Sequence, residues 1–423
     1  MTSDSKTLHR EDISANDLVL MNIFWLGVIL YMVSHALAST DKVNYILCNV
    51  FQILGLAMMI PAGMATFKLK IEDVFLKIVF SIYLCWSVFV IVKGVKFDYE
   101  SVKLMLFNPF RGIFLYFVPL FLFYPRKISY YVKLIEAVLV LSVIYLILVF
   151  IFIKSLLISG NNVISQGLIE NFAQFLAIPA GFVLLTFVYY KKKLNLFELF
   201  ILSLTFILAV IRARRGLMFI TLTMLIFSYL IYQIANKTKV VNTVISFFVL
   251  IIIAYSAVLI YDKNRKDTFS LITERFEQDT RSRVEEYFYQ DMKPVDWIFG
   301  KGMMGEYFCP GVEEGAGRVT IYRSVIETGY LQVILNSGLV GLILILLILI
   351  PAMFKGFMKS KNILAKSAAI WIFLFLIYMY PGSFVIFSVY YILVWISVGI
   401  CYSDQIRNMS DDEIRAIVQS FRK

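Results

Sequence analysis

Histidine is nearly missing from this chain. There are two in 423 residues, His9 and His35, both near the N-terminus, and no His/Cys cluster resembles a metal site. No metal or cofactor is therefore expected. Cysteine is scarce too. Cys48, Cys85 and Cys401 lie in apolar runs and Cys309 stands alone in a polar stretch, so a disulfide framework is excluded. Charged residues make up only 16% against 60% hydrophobic, and the mean hydropathy is +0.80. A soluble domain keeps its apolar fraction nearer half, because it must also build a water-facing surface. Length alone suggests two or three soluble domains. The hydropathy overrides that and points to one membrane domain.

The long apolar runs give the fold class, an all-α polytopic membrane protein. A spanning helix needs roughly 20 apolar residues, and by that measure the chain holds about twelve. Candidate spans lie near 18–38, 43–66, 74–95, 104–124, 132–157, 168–190, 196–211, 216–233, 240–261, 328–354, 364–380 and 384–402. Only Arg212-Ala213-Arg214-Arg215 divides the seventh from the eighth. The first span ends in Ala36-Leu37-Ala38, which resembles a cleavage site. Its long apolar run and polar leader read as an uncleaved signal anchor.

Basic residues in short loops set the expected orientation. Lys68 and Lys70; Arg126, Lys127 and Lys133; Lys191 to Lys193; Lys237 and Lys239; and Lys355, Lys359 and Lys361 fall on one side. That side is expected to be cytoplasmic, with both termini. Residues 1–17 then form a cytoplasmic tail, 18–402 the transmembrane domain, 262–327 an inserted periplasmic loop and 403–423 a cytoplasmic tail. The net charge of +11 reads as topology rather than nucleic-acid binding. Arg212, Arg214 and Arg215 break the pattern by falling outside.

Within the loop, residues 273–290 predict a helix with Phe276, Val284, Tyr287 and Phe288 along one stripe. Arg275, Asp279 and Arg283 follow at spacings of four. Gly300, Gly302 and Gly305 mark a sharp turn. In the C-terminal tail, Ser410 and Glu413 form a capping box. Ile414, Ile417, Val418 and Phe421 then predict a short helix lying on the inner membrane surface.

The arginine cluster is the sharpest chemical signal. Arginine is always protonated and grips phosphate oxygens with a planar fork. Arg212, Arg214 and Arg215 read either as snorkelling at a helix end or as a clamp for an anion at the outer surface, most naturally a lipid diphosphate. Arg111 lies about two turns inside the predicted fourth helix, where a charge faces a polar cavity or an ion pair such as one with Glu170. Glu170, Asn171 and Gln174 open the sixth span, suited to sugar hydroxyls or to capping loop backbone. Tyr287, Tyr289, Trp297, Tyr307 and Tyr322 suit stacking on sugars or loop-core packing. Glu327, one turn after Arg323, reads as a general base or as that arginine's partner.

Three stretches together resemble the bacterial O-antigen ligase and polymerase family, over roughly the second half of the chain. They are Gly167-Leu168-Ile169-Glu170-Asn171-Phe172-Ala173; Arg212-Ala213-Arg214-Arg215-Gly216; and Arg281-Ser282-Arg283, Trp297-Ile298-Phe299-Gly300-Lys301-Gly302 and Glu327-Thr328-Gly329-Tyr330-Leu331 with Gly338 and Gly341. Ligases of that family typically carry a histidine where Glu327 stands, and this loop has none, which favours a polymerase. The resemblance implies transfer of a glycan from undecaprenyl diphosphate to a hydroxyl of a second lipid-linked repeat unit, on the periplasmic face of the bacterial inner membrane. It implies Glu327, Arg214 and Arg215 as catalytic. Arg212, Arg283 and Arg111 join the diphosphate site, and Glu170, Asn171, Arg281, Arg323 and Tyr330 bind substrate. Lipid-linked oligosaccharides, a chain-length regulator and a flippase are the implied partners. A ligase to a lipid A core and a flippase for the same lipid remain the alternatives.

Overall fold

A computed structural model describes residues 14–40, 42–158, 163–236, 280–314, 318–383 and 385–421. The expected span 240–261 and residues 262–279 lie outside them. Among the described residues, seven helices are long and apolar enough to cross a membrane: α1 (Ala15–Ala38), α2 (Tyr45–Thr66), α3 (Val74–Gly94), α5 (Ile128–Ile151), α8 (Lys192–Ile211), α9 (Arg215–Ala235) and α12 (Gly329–Met358). Three apolar helices are shorter: a 3-10 helix (Ile113–Phe123), α13 (Ile363–Tyr378) and α14 (Val389–Tyr402). All 14 residues of α14 are buried, so it forms the axis of the bundle. The outer helices instead bare large apolar side chains such as Ile46, Val92 and Phe150. A water-soluble surface would not tolerate that belt, whereas lipid does.

Helix contacts follow membrane logic. Gly27 of α1 and Gly55 of α2 meet backbone to backbone, and a Cβ on Gly27 would lie 2.5 Å from the Gly55 carbonyl oxygen. With no hydrophobic effect between helices in lipid, such close approach is a main source of pairing energy.

Two expected spans are broken. Residues 104–124 resolve into α4 (Tyr99–Phe107), a turn, and the 3-10 helix. The Asn108 side chain accepts from the amides of Phe110 and Arg111 at 2.8 and 3.1 Å, and Pro109 removes a donor, so the helix stops there. Arg111 is thus in a turn rather than two turns inside a helix, and its ion pair is with Glu306 at 3.7 Å, not with Glu170. Residues 168–190 resolve into α6 (Val163–Phe172), a π turn (Ala173–Ala177), α7 (Ala180–Leu185) and a 3-10 turn (Phe187–Tyr189). Pro179, which cannot donate, sits at the joint. Single π turns of this kind occur often beside functional sites.

The polar loop is not wholly helical. After α10 (Thr280–Asp291) and α11 (Pro294–Phe299) comes an antiparallel hairpin of β1 (Tyr307–Glu314) and β2 (Arg318–Arg323), a small strand element among otherwise helical described residues. Its sequence signal was present in Val319-Thr320-Ile321-Tyr322 after a Gly-Ala-Gly turn sequence. Val284 and Phe288 of α10 bury against Tyr307, Cys309, Ile326 and Leu335, giving the loop its own core. The expected stripe of Val284 and Phe288 is buried there, and Tyr307, one of the aromatics suited to sugars or to packing, is core packing.

The loop is seated on the bundle through glycines. α12 kinks at Gly338, with φ 67° and ψ −178°, a region essentially closed to other residues. A Cβ there would stand 2.1 Å from the Ile298 carbonyl oxygen. We expect Gly338→Ala to cost at least about 1–3 kcal/mol from backbone strain alone, before the steric clash is counted. Limited proteolysis of residues 280–327 measures this. Unchanged protection would show that the loop is held elsewhere.

At the other end of the bundle, the C-terminal helix α15 (Asp411–Phe421) has the expected capping box, with Ser410 N–H donating to Glu413 Oε2 at 2.7 Å. Its apolar face packs against the bundle. Ile414 and Val418 are buried in the bundle's core, Arg415 Nε donates to the Val188 carbonyl, and Asp411 accepts from the Ile363 amide and the Tyr189 hydroxyl. The amphipathic face found its apolar partner in the protein.

Candidate functional site

The turn between α8 and α9 begins the site. α8 ends in a Schellman-type cap: the Ala213 N–H bonds the Val210 carbonyl at 3.1 Å and the Arg214 N–H bonds Ala209 at 2.9 Å. Ala213 takes φ 53°, a left-handed conformation that glycine usually supplies. This sharp reversal separates the three arginines. Arg212 is swept into the protein, 2% exposed, where Nη1 donates to the Ile158 carbonyl. Arg214 and Arg215 turn into a cavity of about 370 Å³.

Five other segments line that cavity, among them the turn after α4 with Phe110. The α6 helix and its π turn contribute Glu170, Asn171 and Gln174, and the turn before α13's successor contributes Pro381, Gly382 and Ser383. The start of α10 contributes Arg281, and the turn entering α12 contributes Val325, Ile326 and Glu327. That last turn is fixed from below. The Ile326 N–H donates to Gln332 Oε1 at 2.8 Å, and Gln332 Nε2 donates to the Ser324 carbonyl at 3.2 Å. Gln332 has no obvious sequence signature for this role, since the interaction depends on how the turn folds back on α12.

Charge in the cavity is arranged in pairs. Arg214 Nη2 contacts Glu170 Oε2. Arg281 Nε donates to Glu327 Oε2 at 2.8 Å, and Arg281 Nη2 donates to the Pro381 carbonyl at 2.6 Å. Glu327 is thus paired with Arg281, 46 residues away in the chain, rather than with Arg323. Three guanidinium groups and two carboxylates share one small space. That set can hold a polyanion with several charge-assisted hydrogen bonds.

A second, mainly apolar groove of about 1040 Å³ adjoins it, lined by Phe219, Ile350, Met353, Phe373, Leu376 and Ile377 among others. Arg215, Gly216, Arg281 and Pro381 line both spaces. Tyr330 stands in the groove with its hydroxyl donating to the Leu376 carbonyl at 2.6 Å.

The structure therefore gathers Glu170, Asn171, Arg214, Arg215, Arg281 and Glu327 in one cavity, with Tyr330 next door. It does not bring the others there. Arg212 holds backbone, and Arg111 pairs with Glu306. Arg283 is exposed on α10, its Nη2 3.8 Å from where a Cβ on the hairpin's Gly311 would stand, and Arg323 lies in β2 opposite Tyr307. Sequence reasoning missed Ser383 and the Pro381-Gly382 backbone, which carry no charge and signalled only a short loop. Among the described residues, no three His, Cys, Asp or Glu side chains gather as metal ligands would. Comparison with protein-family models, with curated proteins and with solved structures gave no match to this chain.

Proposed function

We propose that the protein is a membrane glycosyltransferase, a glycan polymerase that uses a lipid-diphosphate-linked donor. The observation that carries this is the shared wall of the two cavities. Arg215 and Arg281 stand where an arginine-rich polar cavity meets a long apolar groove. A ligand suited to both has an anionic head and a hydrocarbon tail, and a prenyl diphosphate has that chemistry.

In the proposed reaction, the hydroxyl oxygen of a second lipid-linked unit bonds to the anomeric carbon of the donor. The bond from that carbon to the diphosphate oxygen breaks, and the diphosphate leaves with the electron pair. Arg214, Arg215 and Arg281 stabilise the charge that develops on it. The hydroxyl proton passes to the Glu327 carboxylate. Glu170, Asn171 and Ser383, which line the same cavity, are proposed to bond sugar hydroxyls. The donor, acceptor, chain-length regulator and flippase are the proposed partners.

The test is to incubate purified protein with lipid-linked repeat units. A ladder of longer glycans is the expected result. Transfer of one finished chain to a lipid A core would instead mark a ligase. Movement of the lipid between leaflets without covalent change would mark a flippase.

We also propose about twelve spans in a bacterial inner membrane, both termini cytoplasmic and the hairpin periplasmic, from the asymmetry of Lys and Arg between loops. Cys309 is only 1% exposed, so it is a poor reporter. In a variant with its four native cysteines replaced by alanine, Tyr322→Cys should react with an impermeant maleimide in spheroplasts, whereas Gln419→Cys should react only after lysis. The reverse pattern would invert the orientation.

A further inference from the structure

We propose that Glu170 and Glu327 are resident counter-ions, displaced from Arg214 and Arg281 by an incoming diphosphate, so that capture of the donor's headgroup is what frees the Glu327 carboxylate. The inference rests on the lipid-diphosphate reading above and adds how that site is controlled by its own ligand.

The two pairs in the cavity differ from the cross-links elsewhere. Lys355–Asp73 and Lys301–Asp291 join separate segments and line neither this cavity nor the groove. Arg281–Glu327 and Arg214–Glu170 both line the cavity, and each of their carboxylates is 46% exposed. Exposed pairs of this kind are weak, typically about 0–1 kcal/mol. A diphosphate presents several anionic oxygens in an array that fits two or three guanidinium forks at once, so it competes successfully with a solvated carboxylate. Arg281 is the hinge of the exchange. Its Nη2 stays on the Pro381 carbonyl at 2.6 Å while its Nε bonds Glu327, so the guanidinium is held in place when the carboxylate leaves.

Two consequences follow from the geometry. Glu327 is occupied by Arg281 until the donor arrives, which orders the reaction with donor first and acceptor deprotonation second. In addition, removing the charge of Glu327 should strengthen donor binding while weakening catalysis. A residue that merely supports the structure would not improve binding when altered.

The experiment is calorimetric binding of farnesyl diphosphate to the full-length protein in detergent. Glu327→Gln should bind about three- to fivefold tighter than the unaltered protein, the scale of one exposed ion pair. Arg281→Ala should bind at least about tenfold weaker. In the double variant the gain from Glu327→Gln should vanish, because its origin is competition for Arg281. Arg281→Lys, which retains the charge, covers the event that the alanine variant does not fold; there the gain should shrink but persist. Unchanged or weaker binding by Glu327→Gln overturns the exchange while leaving the lipid-diphosphate reading intact. So does an equal gain in the Arg281→Ala background, since the effect would then be repulsion at a distance. If the unaltered protein does not bind farnesyl diphosphate, the proposed function falls and the exchange with it.

Discussion

Glu327→Gln should slow glycan extension by roughly 10²–10⁴-fold, the usual contribution of a positioned general base, while the protein inserts and accumulates normally. The amide keeps the shape of the side chain and its hydrogen bond to Arg281 but accepts no proton. The carboxylate stands at the cavity edge with Arg281 Nε at 2.8 Å, and its turn is clamped by Gln332. Because Glu327 is half in solvent, its loss should not disturb folding. The decisive comparison is with Arg281→Ala. If Glu327 serves only to anchor Arg281, Glu327→Gln should do far less damage than Arg281→Ala and should leave the turnover of saturated enzyme nearly untouched. Assay of extension at saturating donor separates the cases: a large fall in kcat supports the base. A near-normal kcat removes Glu327 from the chemistry.

The three arginines of the α8–α9 turn should separate into two classes. Arg214→Ala and Arg215→Ala should each lower extension by at least about tenfold to a hundredfold, because a charge-assisted contact contributes roughly 1.5–3 kcal/mol. Both reach the cavity, and accumulation should be unaffected. Arg214→Lys and Arg215→Lys should recover only part of the rate, since the ammonium lacks the planar fork. Arg212→Ala should behave differently. Its guanidinium is buried and donates to the Ile158 carbonyl, so the variant loses a charge-assisted bond and leaves a cavity in the protein. Reduced accumulation or a lowered Tm is expected there. Extension assays normalised to protein amount, with immunoblots of membranes, test both halves. Near-normal polymer from both Arg214→Ala and Arg215→Ala would return the cluster to simple snorkelling.

Much of the fold was readable in the chain because lipid imposes a strong compositional rule. An apolar run such as Ile128–Ile151 or Gly329–Met358 has few other stable fates, so the long helices lie close to their expected places. The capping box at Ser410 and Glu413 is likewise local, closed within three residues, and was legible for that reason. The breaks at Pro109 and Pro179 were harder to see. A proline inside an apolar run is tolerated or disruptive according to what else can satisfy the freed backbone groups. At 108–111 the Asn108 side chain satisfies them and the helix ends. At Pro61, with no such capping side chain, α2 continues.

The identity of the charged residues, and the surprise of arginines among apolar runs, belong to the sequence alone. Their partners do not. Arg281 and Glu327 are 46 positions apart, and Arg214 lies in the α8–α9 turn while Glu170 is on α6, so only the packing of the bundle pairs them. Local spacing favoured Arg323 for Glu327, and Glu170 was one partner suggested for Arg111. β2 instead carries Arg323 away into the hairpin, and the turn at Asn108 delivers Arg111 to Glu306. The fate of Arg212 was decided by one backbone angle: the left-handed turn at Ala213 sends it inward and its two neighbours into the cavity. Composition and hydropathy determined that these residues are embedded in an apolar protein, because burial in lipid is a sum over many side chains. Which of them face one another was settled by tertiary structure, because a charge pair depends on a few atoms whose positions are set by distant turns.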